Sequence, residues 1–119
     1  MARPTILVVE DRELALLLRR ILRASGYRVL MCRSGSQALR ICSRLSPRID
    51  LVLTSLQLPD IDGGALVLQL EREYSHVNII GMSLYQGRTT RFADLGISFI
   101  QKPFSYADLI ARIQEALGK

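Results

Sequence analysis

Five short apolar runs alternate with stretches of helical periodicity, and that alternation leaves the chain few folds to adopt. The first run, Ile6-Leu7-Val8-Val9, is followed by Leu14, Leu17, Leu18, Ile21 and Leu22, spaced to fall on one face of an amphipathic helix. Gly26 is placed to end that helix. Arg28 to Cys32 reads as a second strand, and Ser34-Gly35-Ser36-Gln37 as a capping box that opens a helix through Leu45. Leu51 to Thr54 is the third strand, followed by a helix from Gly63 to Tyr74 with Leu66, Val67, Leu70 and Tyr74 inward. Val77 to Met82 is the fourth strand. A short helix near residues 89–95, ended by Gly96, leads to a fifth strand at Ile97 to Gln101. Ser105 caps a last helix whose inward face is Tyr106, Leu109, Ile110, Ile113 and Leu117. Strands that are apolar on both faces and separated by helices predict parallel pairing through right-handed crossovers. The expected fold class is α/β, a doubly wound five-stranded parallel sheet with helices on both faces.

A chain of 119 residues supports one domain spanning 1–119 with a real core. No apolar run approaches the roughly 20 residues of a membrane span, and Met1-Ala2-Arg3-Pro4 runs straight into a strand, leaving no room for a signal peptide. A soluble cytoplasmic protein, with no membrane partner, is expected. Cys32 and Cys42 lack metal-ligand spacing and read as buried free thiols. His76 is the single histidine, which excludes a histidine-cluster metal site.

Charge is uneven along the chain. Residues 1–49 hold ten arginines against three acids, a balance of +7, while residues 50–119 balance at −2. Arg19, Arg20, Arg23, Arg40 and Arg44 form a candidate basic surface for an acidic partner. No aromatic residues interleave with them, which argues against direct nucleic-acid binding.

The chemistry-bearing residues cluster at the ends of the apolar runs. Glu10-Asp11 follows the first, Ser55 the third, Ser83 the fourth and Lys102-Pro103-Phe104 the fifth, and Leu58-Pro59-Asp60-Ile61-Asp62-Gly63 forms a distinctive turn after Ser55. Together these features resemble the receiver domain of two-component response regulators over essentially the whole chain. The resemblance implies a flavodoxin-like strand order 2-1-3-4-5, with a site at the carboxyl ends of the strands where the winding reverses. It implies that Ser55 stands where the family carries the aspartate that accepts a phosphoryl group from a histidine kinase. By the same resemblance, Asp11 is a direct magnesium ligand, Glu10 acts through water and the backbone carbonyl of Gln57 is the third ligand. Magnesium binding is expected to be weakened, because Ser55 supplies neither the charge nor the ligand of a carboxylate. Lys102 matches the lysine that contacts the phosphoryl group, and it is expected to pair with Asp11 or Glu10 in the absence of that anion. Pro103 matches a cis-proline position, Ser83 the hydroxyl that contacts a phosphoryl oxygen, and Phe99 the aromatic switch.

Other departures point the same way as Ser55. Leu84 occupies a position where the family has a small residue, and the interval from Ser83 to Lys102 is about three residues short, nearly one helical turn. Arg12 follows the acidic pair where an acid is common. Unactivated serine is a weak nucleophile and its phosphate an ordinary ester, so the ordinary phosphorelay should fail. Asp50 and Asp60 are poorly placed to substitute. The expectation is a non-enzymatic, phosphorylation-independent receiver that acts by protein–protein interaction. Its partner would be a histidine kinase, a phosphotransfer or output domain, or a second copy of itself. A conventional receiver with its aspartate deliberately replaced is the alternative. A small flavodoxin-like enzyme or nucleotide binder is disfavoured, because no glycine-rich phosphate loop follows the first strand.

Overall fold

A computed structural model describes residues 3–11, 13–83 and 98–118. Five strands, β1 (Thr5–Val9), β2 (Arg28–Cys32), β3 (Leu51–Ser55), β4 (Asn78–Ser83) and β5 (Ser98–Gln101), form one sheet in the order β2-β1-β3-β4-β5. Every pairing is parallel. The described helices are α1 (Leu14–Ala24), α2 (Gly35–Leu45), α3 (Gly63–Glu73) and α4 (Tyr106–Ala116). The expected helix near residues 89–95, with Arg12, Leu84 and Ile97, lies outside the described residues.

Strand side chains alternate between two apolar layers, as a period of two requires. Ile6, Val8, Leu51, Leu53, Ile80 and Met82 pack with Leu18 and Leu22 of α1 and Leu109 and Ile113 of α4. On the other face, Leu7, Val9 and Val52 meet Ala38 and Cys42 of α2 and Leu66 and Leu70 of α3. Two residues expected inward are exposed instead: Leu17 retains 39% and Tyr106 55% of its surface. Both line a groove between α1 and α4. A helix lying on a sheet buries only the stripe beneath it, so positions at the flank of the periodic pattern emerge between neighbouring helices.

Local chemistry explains where the helices begin and end. After α1, Gly26 adopts φ +95°, with Tyr27 N–H donating to Leu22 O at 3.1 Å and Gly26 N–H to Arg23 O at 3.0 Å. These two hydrogen bonds satisfy carbonyls that the helix leaves open. At α2, Ser34 Oγ accepts from Gln37 N–H at 3.2 Å, but Gln37 Oε1 reaches Arg33 N–H rather than that of Ser34. The two donors this leaves free, Gly35 N–H and Ser36 N–H, go to the Asp60 carboxylate at 2.9 Å each. Asp62 and Ser105 cap α3 and α4 in the same way, accepting from Ala65 N–H and Asp108 N–H.

Asp60 gives this cap a pH dependence. The backbone N–H of Ser36, then that of Gly35, then the Ser36 hydroxyl hold its carboxyl below the ordinary value of 3.8. A carboxylate with a depressed folded-state pKa contributes stability that is full above its unfolded value and lost as pH falls through the folded one. Asp60→Asn is therefore expected to lower the urea midpoint at neutral pH, with the gap to the unmodified chain closing as pH drops below the ordinary carboxylate range. Equal midpoints at neutral pH would show that the cap is dispensable.

Candidate functional site

The carboxyl ends of the strands gather the polar residues that the core otherwise lacks. Glu10 follows β1, Ser55 ends β3, Ser83 ends β4 and Lys102 follows β5, and all four are buried. Main-chain bonds extend the ladder to hold them: Glu10 N–H donates to Cys32 O at 3.0 Å, Leu56 N–H to Met82 O at 2.9 Å and Lys102 N–H to Ser83 O at 2.7 Å. The peptide bond between Lys102 and Pro103 is cis.

The lysine side chain pairs with Glu10. Lys102 Nζ lies 2.8 Å from Glu10 Oε1, with side chains only 9% and 1% exposed. Because β3 and β4 lie between β1 and β5, this bond runs over the strand ends that carry Ser55 and Ser83. Glu10 Oε2 is buried and has no hydrogen-bond partner among the described residues. Asp11, the other expected partner of the lysine, is exposed.

Ser55 is 2% exposed and closes on its own turn. Its Oγ accepts from Gln57 N–H and donates to Gln57 O, each at 3.2 Å. The carbonyl expected to face a metal is therefore already an acceptor for the serine hydroxyl. Gln57 also bridges to Asp62 across the turn, and Gly63 N–H reaches back to Leu56 O at 3.3 Å. Among the described residues, no three His, Cys, Asp or Glu side chains stand together as a metal-binding group.

The remaining assignments separate in space. Phe99 is half-buried and packs against Leu56 and Val67, while its carbonyl accepts from Arg112 Nη1 at 2.9 Å. Asp50 sits at the amino end of β3, far along the strand from Ser55, and accepts from Thr5 N–H at 2.8 Å. Asp60 is occupied by α2. His76 is exposed, with Nε2 2.8 Å from Ser46 O. Both cysteines are free and buried; burial pushes the Cys32 thiol up to about 12 and the Cys42 thiol up to about 11.

The five arginines do not form one flat patch. Arg19, Arg20 and Arg23 are exposed on α1 and Arg40 and Arg44 on α2, and these helices cover opposite faces of the sheet. Even on α1 they diverge: Arg19 lines a cleft with Glu10, Asp11 and Arg33, whereas Arg20 lines the apolar groove beside α4 with Leu17, Ile21 and Tyr106.

The roles of Asp60 and Gly35 were beyond local reading. Twenty-five residues separate Asp60 from Gly35, and a Cβ on Gly35 would run into the side chain of Ile61.

Comparison with known proteins agrees with the geometry. The profile of the response regulator receiver domain matches residues 6–114. The polar-differentiation response regulator DivK of Brucella ovis is 32% identical over 120 residues, covering 96% of each chain. The sensor kinase CckA of Brucella abortus is 32% identical over 119 residues. That match takes in 97% of this chain but 13% of the kinase. A receiver domain from Clostridium thermocellum superposes with a TM-score of 0.88 at 23% identity, covering 97% of this chain and 94% of its own, a likeness of fold.

Proposed function

The chain belongs to the response regulator receiver domain family, and on that premise we propose that it is a signalling module that works without taking up phosphate, by contact with another signalling protein. Receiver domains are signalling modules of two-component systems rather than typical enzymes, and they bind magnesium at their phosphorylation site. The observation that carries the proposal is Ser55. A hydroxyl bound on both sides to Gln57 and 2% exposed is a poor nucleophile, and the buried lysine beside the site already has a carboxylate partner. The partner class proposed is a histidine kinase, a phosphotransfer or output domain, or a second copy. Similarity to a sensor kinase and to a response regulator supports that class. Exposed Arg20 of α1, together with Leu17 and Tyr106 in the groove beside α4, offers a surface that combines charge with apolar area, and Arg19 borders the cleft beside Glu10 and Asp11. The proposed location is the cytoplasm, whose reducing conditions suit two free thiols. No described helix is long and apolar enough to cross a membrane.

The test is intact mass after incubation with magnesium and a small phosphodonor. The unmodified chain is expected to gain nothing under conditions that fully label a conventional receiver, and reversal of Arg19, Arg20 and Arg23 to Glu is expected to weaken capture by an isolated histidine-kinase phosphotransfer module. Gain of a phosphoryl group would overturn the proposal; loss of that group in hydroxylamine would assign it to a carboxylate, and survival to a hydroxyl, with Ser55→Ala deciding whether that hydroxyl is Ser55.

A further inference from the structure

The magnesium site that family membership implies at these strand ends would take Asp11 and the Gln57 carbonyl directly and Glu10 through water, with further waters completing the shell. The residues present do not fit it. Glu10 gives Oε1 to Lys102, whose ammonium would stand beside any cation there, and the Gln57 carbonyl gives one of its two lone pairs to the Ser55 hydroxyl, which leaves exposed Asp11 and the bare Glu10 Oε2 beside that ammonium. The cause lies in the charge balance. A buried ammonium must have an anion, Ser55 is neutral, and the carboxylate that meets the lysine is Glu10.

We propose that Lys102 is the resident cation of this pocket: its ammonium supplies the positive charge that a divalent metal would otherwise bring to Glu10, and it excludes the metal by doing so. This goes beyond the proposed function, because it concerns the countercharge of Glu10 in the unphosphorylated chain, whatever partner that chain contacts. The bare Glu10 Oε2 is the second sign. One ammonium satisfies the charge of the carboxylate without satisfying both oxygens, so the group retains coordinating capacity that is blocked while Lys102 stays in place.

The probe is Mn2+, a hard paramagnetic ion with the oxygen preference of magnesium, followed by the loss of backbone amide NMR signals. In the unmodified chain, broadening is expected to be weak and centred on exposed Asp11. In Lys102→Met, Mn2+ is expected to bind at least about tenfold more tightly, with broadening extended to the amides of Glu10 and Gln57. Lys102→Arg, which keeps the charge, should behave as the unmodified chain does. If Lys102→Met is unfolded alone, Mn2+ must restore its dispersed spectrum, since ligand binding to the folded form pulls the equilibrium toward it. Equal Mn2+ affinity in the unmodified chain and the Met variant, an Arg variant that matches the Met variant, or an unfolded Met variant that Mn2+ does not restore would each overturn the assignment.

Discussion

Gly63→Ala is expected to destabilise the domain by about 3 kcal/mol or more, at or beyond the top of the usual range for overpacking. A Cβ at this position would lie 2.6 Å from both C and O of Leu56 and closer still to its Cα. That obstacle is backbone, which cannot change rotamer to make room. Leu56 is itself pinned between the sheet, through its N–H to Met82 O, and α3, through Gly63 N–H to its carbonyl. The strain would pass directly into the turn that holds Ser55 against Gln57. Gly26→Ala provides the contrast. Gly26 has φ +95° but nothing within 4 Å of its missing Cβ, so the expected loss is only the roughly 1–2 kcal/mol of a left-handed backbone for an L residue. Urea denaturation of both variants checks the comparison. A Gly63→Ala chain as stable as Gly26→Ala would mean that the turn can open without loss.

Lys102→Met is expected to lose about 3–5 kcal/mol, because it leaves the Glu10 carboxylate buried with neither oxygen satisfied. With Glu10 1% and Lys102 9% exposed, solvent screening does little for the pair. The loss measures the stranded charge rather than the worth of the bond. Glu10→Leu combined with Lys102→Met should therefore recover most of it, since two apolar groups replace two mutually dependent ions. The four chains form a double-mutant cycle with a coupling well above the few tenths of a kcal/mol seen for independent sites. Additive losses from the two single changes would show that Glu10 and Lys102 find other partners and that the 2.8 Å contact has no energetic consequence.

Much of this fold is legible in the sequence itself. The alternation of apolar runs with helical patterns marked all the described strands, and Arg28–Cys32 matched to the residue. Ends moved where hydrogen bonds outran hydropathy. β3 extends to Ser55 because that residue pairs with Met82, and β4 begins at Asn78 because Val77, although buried, bonds to Tyr74 O before the ladder starts. Leu17 and Tyr106 looked inward by period alone, but the width of the stripe that a helix buries depends on its neighbours. Glu10 and Asp11 were equal candidates for Lys102 in the sequence. Only the path of the chain after β1 buries one and exposes the other.

What the sequence determined by itself was the class of fold and the inventory at the strand ends, because hydrophobic period and chain order are local properties that any parallel α/β packing must respect. It also determined that no carboxylate stands at position 55. Which charges neutralise each other, where the Asp60 carboxylate goes and which glycines are obligatory were decided by tertiary structure. Those outcomes depend on distances between groups such as Asp60 and Gly35, 25 residues apart, or Lys102 and Glu10, 92 apart. Such distances come into being only when the sheet assembles and burial removes water as the alternative partner.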